Sequence, residues 1–144
     1  MKSALVYYSR TGNTESVAKR FENMDYLRVE AKSDDPYQKE VTLTNIPDIT
    51  GYDHVIFASP VHGFKLSSVM KAYINQLGDL SGKTIDTFVT HYFRFYWMGG
   101  SQALKRMREL IEKKGGEVRY ETSINWKSSK RQKDILDMIE RYQK

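Results

Sequence analysis

A run of hydroxyl, amide and glycine residues at positions 9–14 has the composition of a phosphate-binding loop. The run consists of Ser9, Arg10, Thr11, Gly12, Asn13 and Thr14. An apolar strand pattern over residues 4–8 leads into it, and a helical pattern marked by Val17, Ala18 and Phe21 leads out. Hydroxyls and the free N–H groups of a helix N-terminus bind anions, and glycine lets the backbone approach a ligand closely. The run therefore predicts a site for a phosphate monoester.

The run from residue 9 to residue 14 has alternative interpretations. An ordinary strand-to-helix turn, capped by Asn13 or Thr14, is the plainer alternative. Neither G-x-x-x-x-G-K-[ST] nor G-x-G-x-x-G occurs in the chain, which argues against nucleoside triphosphate and dinucleotide sites. A tyrosine-phosphatase loop would need a cysteine, and the chain has none. A response-regulator site would need carboxylates where this chain has Ser9 and Ser59.

A second candidate loop follows the apolar run of residues 55–58. It consists of Ser59, Pro60, Val61, His62, Gly63, Phe64 and Lys65. We expect Pro60 to fix a turn and Gly63 to adopt backbone angles closed to other residues, so that the loop can fold over a flat ring. Plainer alternatives are that His62 is a solvent-exposed turn residue and that Phe64 plugs the space beneath the loop.

A third candidate loop, residues 90–100, contains five aromatic residues among eleven. They are Tyr92, Phe93, Phe95, Tyr96 and Trp97. Exposure of an aromatic ring to water is unfavourable, so such rings usually contact a ligand, a partner or the core. The loop therefore favours a binding function, with inward packing of several rings as the alternative.

The elements that position these loops alternate between strand and helix patterns. Strands are predicted over residues 2–8, 26–31, 54–59, 83–90 and 117–124. Helices are predicted over residues 13–23, 67–77, 101–114 and 128–142, and a loop or short helix within residues 32–50. This order predicts a doubly wound α/β sandwich, in which ligands bind at the carboxyl ends of the parallel strands.

The bulk composition narrows the class of protein. A chain of 144 residues, 40% hydrophobic and 28% charged, predicts one domain over residues 1–144. The lack of cysteine excludes disulfides, thiolate metal sites and cysteine nucleophiles, so redox chemistry would need a bound cofactor. We predict no metal site. The apolar stretch before Ser9 is too short for a signal peptide or a membrane span, so we expect a cytoplasmic protein.

The net charge of +5 is unevenly distributed along the sequence. Residues 101–144 contain twelve Lys and Arg against seven Asp and Glu, whereas residues 1–100 are balanced. A basic cluster beside Trp126 is a weak signal for nucleic acid, and no known binding motif accompanies it. We therefore interpret the excess as a solvated helix face and expect no nucleic-acid partner.

The three loops together resemble those of one family. Residues 8–14 are similar to the S/T-x-T-G-x-T phosphate loop of the flavodoxin family. Residues 58–64, followed by a helix containing residues 70–73, resemble the second flavin loop, and residues 89–100 resemble the third. The similarity covers nearly the whole chain in the correct order. It implies a flavodoxin-like three-layer sandwich with a five-stranded parallel sheet in the order 2-1-3-4-5 and FMN at the loop edge.

The resemblance also implies which residues bind the cofactor. The FMN phosphate would be held by Ser9, Thr11, Gly12, Asn13, Thr14 and the backbone N–H of Arg10. One face or edge of the isoalloxazine would be bordered by Pro60, Val61, His62, Gly63 and Phe64. The pyrimidine edge or the other face would contact Thr90, His91, Tyr92 and, later in the same loop, Gly99. The third loop departs from the family in its many aromatic residues and in Arg94.

The function implied by the resemblance is electron transfer between redox partner proteins through transient contacts. A bound flavin carries the electrons, so no catalytic side chain is predicted. Two alternatives remain open. One is a quinone- or NAD(P)H-dependent FMN oxidoreductase of the same fold, including a protoporphyrinogen-oxidase-like enzyme. The other is a module that has lost its flavin and acts by binding proteins.

Overall fold

Strands and helices alternate along the chain in a computed structural model that describes residues 1–92 and 100–143. The strands are β1 (Ser3–Tyr7), β2 (Asp25–Arg28), β3 (Glu30–Ala31), β4 (Leu43–Asn45), β5 (His54–His62), β6 (Lys65–Leu66), β7 (Thr84–His91) and β8 (Val118–Asn125). The helices are α1 (Asn13–Ala18), α2 (Ser68–Asn75), α3 (Gly100–Glu112) and α4 (Arg131–Tyr142). The five predicted strands and four predicted helices are all present, with shifted ends.

The main sheet has the strand order β2-β1-β5-β7-β8, and all four of these pairings are parallel. Numbered by the five predicted strands this is 2-1-3-4-5, so the predicted topology is confirmed. The central strands β1, β5 and β7 are mostly buried, and β1 and β5 contain apolar runs, as parallel strands between two helical layers require. Their carboxyl ends lie at one edge of the sheet.

Two hydrophobic clusters cover the two faces of the sheet and make the fold three-layered. The first joins α2 and α3 to one face through Met70, Tyr73, Ile74, Leu104, Met107 and Leu110. The second joins α1 and α4 to the other face through Val17, Ala18, Ile135, Met138 and Tyr142, and includes Phe21 just after α1. These helical residues recur every three or four positions, so each helix presents one apolar stripe to the sheet.

Three predicted elements differ from the structure. The region predicted as a loop or short helix contains β4, which pairs antiparallel with β3 in a separate two-stranded sheet. The predicted strand over residues 26–31 is divided between β2 and β3, and Val29 between them donates its N–H to Tyr7 O at 2.8 Å. The first helix ends at Ala18 instead of continuing to residue 23, because Arg20 and Phe21 form tighter turns and Asn23 adopts a φ of 60°.

Two kinds of feature are absent from the described residues: membrane-spanning helices and clusters of metal-ligating side chains. No helix among them is long and apolar enough to cross a membrane. Within residues 1–92 and 100–143, no group of three or more His, Asp and Glu side chains is placed to hold a metal ion.

A buried charge cluster joins the first residues of three strands at the edge opposite the loops. Asp86, fully buried on β7, receives hydrogen bonds from Arg119 Nε at 3.0 Å and Nη2 at 2.7 Å. The distance from its Oδ2 to His54 Nε2 is 2.7 Å. Burial opposes ionisation of Asp86, but the hydrogen bonds from His54 and Arg119 outweigh it and hold the pKa of this carboxyl below its usual value. The cluster is remote from the loops and has a structural role.

Substituting Asp86→Asn should destabilise the fold strongly at neutral pH. Removing one partner of a buried ion pair leaves the other charges uncompensated, so the free energy of unfolding should fall by about 3 kcal/mol or more in urea denaturation. The ionised wild-type carboxyl stabilises the fold above the unfolded pKa of about 3.9, and this contribution is lost as the pH falls through the lower folded pKa. The difference in unfolding free energy between wild type and variant should therefore become smaller at acidic pH.

A matched control is Asp137→Asn on α4. In the wild type, Asp137 Oδ2 lies 2.7 Å from Lys133 Nζ in an exposed ion pair, and the substitution removes this pair. Solvent screens this pair, so the variant should unfold close to wild type. Equal destabilisation by both substitutions would contradict the role given to the buried cluster.

Candidate functional site

The first predicted loop follows β1 and is shaped by the hydroxyl of Ser9. This side chain is buried, and its Oγ accepts the N–H of Gly12 at 3.1 Å and the N–H of Glu15 at 3.2 Å. Gly12 is the N-cap of α1 and has φ 96°, a left-handed conformation that glycine adopts without a steric cost. The sequence therefore folds residues 9–14 into a tight loop that runs directly into a helix.

This loop leaves several backbone donors available for a ligand. The N–H groups of Arg10, Thr11, Asn13 and Thr14 form no hydrogen bond with any described residue. Backbone N–H groups of this kind at the start of a helix bind phosphate oxygens. The donor set therefore fits the phosphate monoester that the sequence predicts.

A hydrogen-bonded cluster beneath the loop holds it in place. Arg28, at the end of β2, donates from Nη2 to Ser9 O at 3.0 Å and from Nη1 to Glu15 Oε2 at 2.7 Å. Tyr7 OH donates to the same carboxylate oxygen at 2.7 Å. The hydrogen bond from Tyr7 and then the one from Arg28 hold the pKa of Glu15 below its usual value, whereas burial followed by Glu15 raises the pKa of Tyr7 to about 12.

The sequence reasoning missed this supporting cluster. One signal for it exists in the sequence, because the predicted order places strand 2 beside strand 1 and so brings the end of β2 next to residue 9. Arg28 ends that strand. Glu15 is the acidic residue in the first turn of α1. The pairing of this carboxylate with Arg28 means that Glu15 does not leave an uncompensated negative charge beside the loop.

Side chains from the first and third loops meet directly. Thr14 and Thr90 are both buried, and their hydroxyl oxygens are 2.8 Å apart, so one donates to the other. Asn13 donates from Nδ2 to the hydroxyl of Tyr92. Thr90 was predicted to end the fourth strand and begin the loop, and His91 was predicted in the loop; both are the last residues of β7 and are buried. Tyr92, 48% exposed, lies just beyond the strand, and Gly100, at the end of the predicted loop, begins α3.

The second predicted loop is a β-hairpin, and its turn lies later than predicted. Pro60 does not fix a turn, because it lies within β5 and pairs with Thr90 of β7. The chain turns at Gly63 and Phe64, whose φ values are 54° and 67°, and returns as β6 with Val61 opposite Leu66. Positive φ at both central residues is typical of a two-residue hairpin turn. The prediction missed the hairpin because β6 has only two residues.

His62 ends β5 on the side of this hairpin that faces the first loop. Its ring centroid lies 6.3 Å from that of Tyr8, edge to face. Burial and then the nearby Arg10 guanidinium lower the pKa of His62, so the imidazole is neutral at neutral pH. Its buried Nδ1 has no hydrogen-bond partner among the described residues. This nitrogen is shielded from solvent among the described residues.

An outer segment, residues 33–38, joins the site through Asp34. Tyr8 OH donates to Asp34 Oδ1 at 3.0 Å, and Arg10 Nε donates to Asp34 O at 2.9 Å. Burial followed by the bond to Asp34 raises the pKa of Tyr8 to about 12, so this phenol stays protonated. No local sequence pattern marked Asp34 as part of the site.

The predicted site residues are thus brought to one edge of the sheet, apart from those that the structure does not describe. Thr11 and Gly12 are exposed on the first loop, Val61 is half-buried in the hairpin, and Phe64 at its tip is 45% exposed. Gly99, Arg94 and four of the five aromatic residues of the third loop lie outside the described residues.

The class of protein is set by this arrangement: an α/β sandwich with strand order 2-1-3-4-5 and a phosphate-type loop after its first strand. The match to a known family agrees with it, since residues 4–121 match the flavodoxin domain. The chain belongs to the flavodoxin domain family. No curated protein matches it in sequence.

Solved structures of similar fold include proteins that contain FMN. A flavoprotein from Lactobacillus acidophilus in complex with FMN is 15% identical and has a TM-score of 0.69, with 99% of each chain covered. Flavodoxin 2 from Bacillus cereus is 16% identical with a TM-score of 0.70, covering 99% of this chain and 98% of its own. The Fusobacterium nucleatum flavodoxin bound to flavin mononucleotide is 16% identical with a TM-score of 0.66 and the same coverage.

Substitutions of Thr14 and Thr90 should reveal their coupling. Thr14→Val or Thr90→Val alone leaves the other hydroxyl buried without its partner, which should cost about 1–3 kcal/mol of unfolding free energy. The double variant Thr14→Val/Thr90→Val removes both polar groups and should be less destabilised than the sum of the two single variants, by about 1 kcal/mol. Strictly additive effects in urea denaturation would contradict the contact.

Proposed function

We propose that this chain binds FMN at the three loops and carries electrons between redox proteins. The observation that carries the proposal is the set of N–H donors around Gly12, because they follow β1 in a loop whose geometry suits a phosphate monoester. Membership of the flavodoxin domain family and the FMN of its structural neighbours support the same ligand. The flavin, when bound, would supply the redox chemistry that this cysteine-free chain lacks.

The residues of the first loop would hold the phosphate end of the cofactor. The N–H groups of Arg10, Thr11, Asn13 and Thr14 would donate to phosphate oxygens, while Ser9 keeps the loop closed through its bonds to Gly12 and Glu15. Hydrogen bonds from N–H groups to an anion are stronger than hydrogen bonds between neutral groups. The Arg28–Glu15 pair removes most of the repulsion that an isolated carboxylate would exert on a bound phosphate.

The two later loops would border the ring. The hairpin brings Gly63 and Phe64 to one side, and Tyr92 lies at the end of β7 beside the first loop. His62, a neutral imidazole at the end of β5, lies edge to face against Tyr8 beside these loops. The described polar side chains here are mostly engaged in positioning the loops, which suits a protein that binds a cofactor and leaves the chemistry to it.

Electron transfer in both directions requires that part of the site remain accessible. Phe64 and Tyr92 are large rings that stay about half exposed at the loop edge, at 45% and 48%. Exposed aromatic residues are enriched where proteins contact one another, and electron-transfer contacts are small and short-lived. These rings support docking of redox partners at the loop edge.

FMN binding can be tested with one variant and a matched control. Gly12→Ala and Gly82→Ala place a side chain at positive φ values of 96° and 82°, with no atom within 4 Å in either place, so both should lose about 1 kcal/mol of folding stability. Only Gly12 belongs to the loop. Relaxation of the strain there should displace its N–H donors and weaken FMN binding about tenfold in a fluorescence-quenching titration, while Gly82→Ala binds like wild type.

Two outcomes of that titration would count against the proposal. A wild-type chain that neither quenches FMN fluorescence nor melts at a higher temperature with FMN present would support the flavin-free module instead. Equal FMN affinity of wild type and Gly12→Ala would move the binding site away from the first loop.

The carrier role is tested by the source of the electrons. NADPH alone should leave the visible flavin absorbance of the FMN-loaded chain unchanged under anaerobic conditions, and a catalytic amount of an NADPH-dependent flavoprotein reductase should bleach it. Dithionite reduction provides the reference for full bleaching. Steady consumption of NADPH by the chain with a quinone, without any reductase, would establish the oxidoreductase alternative.

A further inference from the structure

A cleft with a volume of about 680 Å³ lies against the second loop and extends beyond the residues assigned to FMN. Its walls are the β5–β6 hairpin, the first turn of α2, the exposed side of α3 and residues 36–38. The cleft and the site share His62, Gly63 and Phe64. A molecule seated in it would therefore touch the hairpin that borders the proposed flavin.

The described lining of this cleft carries a strong excess of positive charge. Four cations line it, namely Lys65, Lys71, Lys105 and Arg106, against the single carboxylate of Glu109. None of these five side chains forms an ion pair with a described residue. Cations gathered around one concave surface repel one another and attract anions from solution. We call this surface the basic cleft.

The basic cleft follows directly from the sequence of α3. Gln102, Lys105, Arg106 and Glu109 recur at the three- and four-residue spacing of one helical face. The opposite stripe, which includes Leu104, Met107 and Leu110, is buried against the sheet. The charge excess of the C-terminal part of the chain is therefore partly concentrated on one exposed face that points towards the hairpin.

Aromatic rings border the same cleft. Tyr37 is 79% exposed, and its Cε1 atom lies 3.8 Å from the position that a Cβ on Gly63 would occupy. Phe64 is 45% exposed in a left-handed conformation, which raises the energy of a residue with a side chain. Aromatic residues are enriched at protein–protein interfaces.

We propose that the basic cleft docks an acidic redox partner protein, which inserts a carboxylate-bearing segment between α3 and the hairpin. The use of this contact for electron transfer rests on the proposed function, whereas the binding itself does not. Complementary charge would steer the partner to the hairpin side of the flavin site and accelerate association at low ionic strength.

The side chains of the basic cleft favour a protein over a small ligand. Sites for small molecules hold a few polar groups in fixed positions and bury most of the ligand. Here Lys65, Lys71 and Lys105 are exposed, and their ammonium groups donate to no described residue. Long, unanchored cations act through their summed field, which suits a transient encounter with an acidic surface.

The test uses an acidic plant-type [2Fe–2S] ferredoxin as the partner probe and basic cytochrome c as the opposite-charge control. In an NMR titration of the isotopically labelled chain, ferredoxin should shift amide signals of residues 65–71 and 102–109. Raising the salt concentration should abolish these shifts, because exposed charges are screened. Shifts confined to other surfaces, or equal shifts with cytochrome c, would overturn the proposal.

Two dibasic pairs, one on α3 and one just after it, provide matched variants. Lys105→Ala/Arg106→Ala removes two charges of the basic cleft and should weaken ferredoxin binding about tenfold, the sum of two modest surface charge contacts. Lys113→Ala/Lys114→Ala removes the same charge about 12 Å further along, after α3 ends, and should change the affinity less than about twofold. Equal weakening by both pairs would show a response to net charge alone and overturn the assigned cleft.

The titration is performed with and without FMN, so that the two proposals fail separately. If the chain binds ferredoxin but does not bind added FMN, the proposed function is rejected and the docking site is retained. FMN binding without ferredoxin shifts would reject the docking site alone. Adenosine diphosphate is titrated as well, and cleft shifts with it at a lower concentration than with ferredoxin would replace the protein partner by a small anion.

Discussion

Parallel pairing of β1, β5 and β7 is the constraint on which the whole site depends. The three strands end at one edge of the sheet, so loops that lie some 50 and 80 positions from the first loop in sequence become neighbours. The register fixes the details: Tyr7 lies opposite Ala58, and Pro60 lies opposite Thr90. A slip of one residue would turn every side chain of a strand to the other face. The contact of Thr14 with Thr90 exists only in this register.

Stability and ligand recognition are separated along the strands. The amino ends carry the carboxylate of Asp86, which is fully buried and is held by Arg119 and His54. The carboxyl ends carry unpaired N–H groups and exposed rings, which are available to bind but do little to stabilise the fold. This division allows the loops to vary while the opposite edge holds the strands together.

Much of the fold could be predicted from the sequence because its signals are local. The apolar runs of β1 and β5 and the helical stripes of α3 and α4 each fall within one short window of residues. The first loop was found for the same reason, since residues 9–14 are contiguous. The hairpin was missed because β6 has two residues and its turn contains Phe64, a residue that favours negative φ. Arg28 and Asp34 act on the loop across the fold, and their roles depend on tertiary contacts that no local pattern records.

The turn of the hairpin has a consequence for how this protein could evolve. Two successive residues adopt left-handed backbone angles, and the second is a phenylalanine with nearly half of its surface in water. Glycine or asparagine would relieve the conformational energy there and would remove apolar surface from solvent. An exposed aromatic ring at such a position opposes selection for stability, so its retention would imply a trade-off in which recognition outweighs ease of folding.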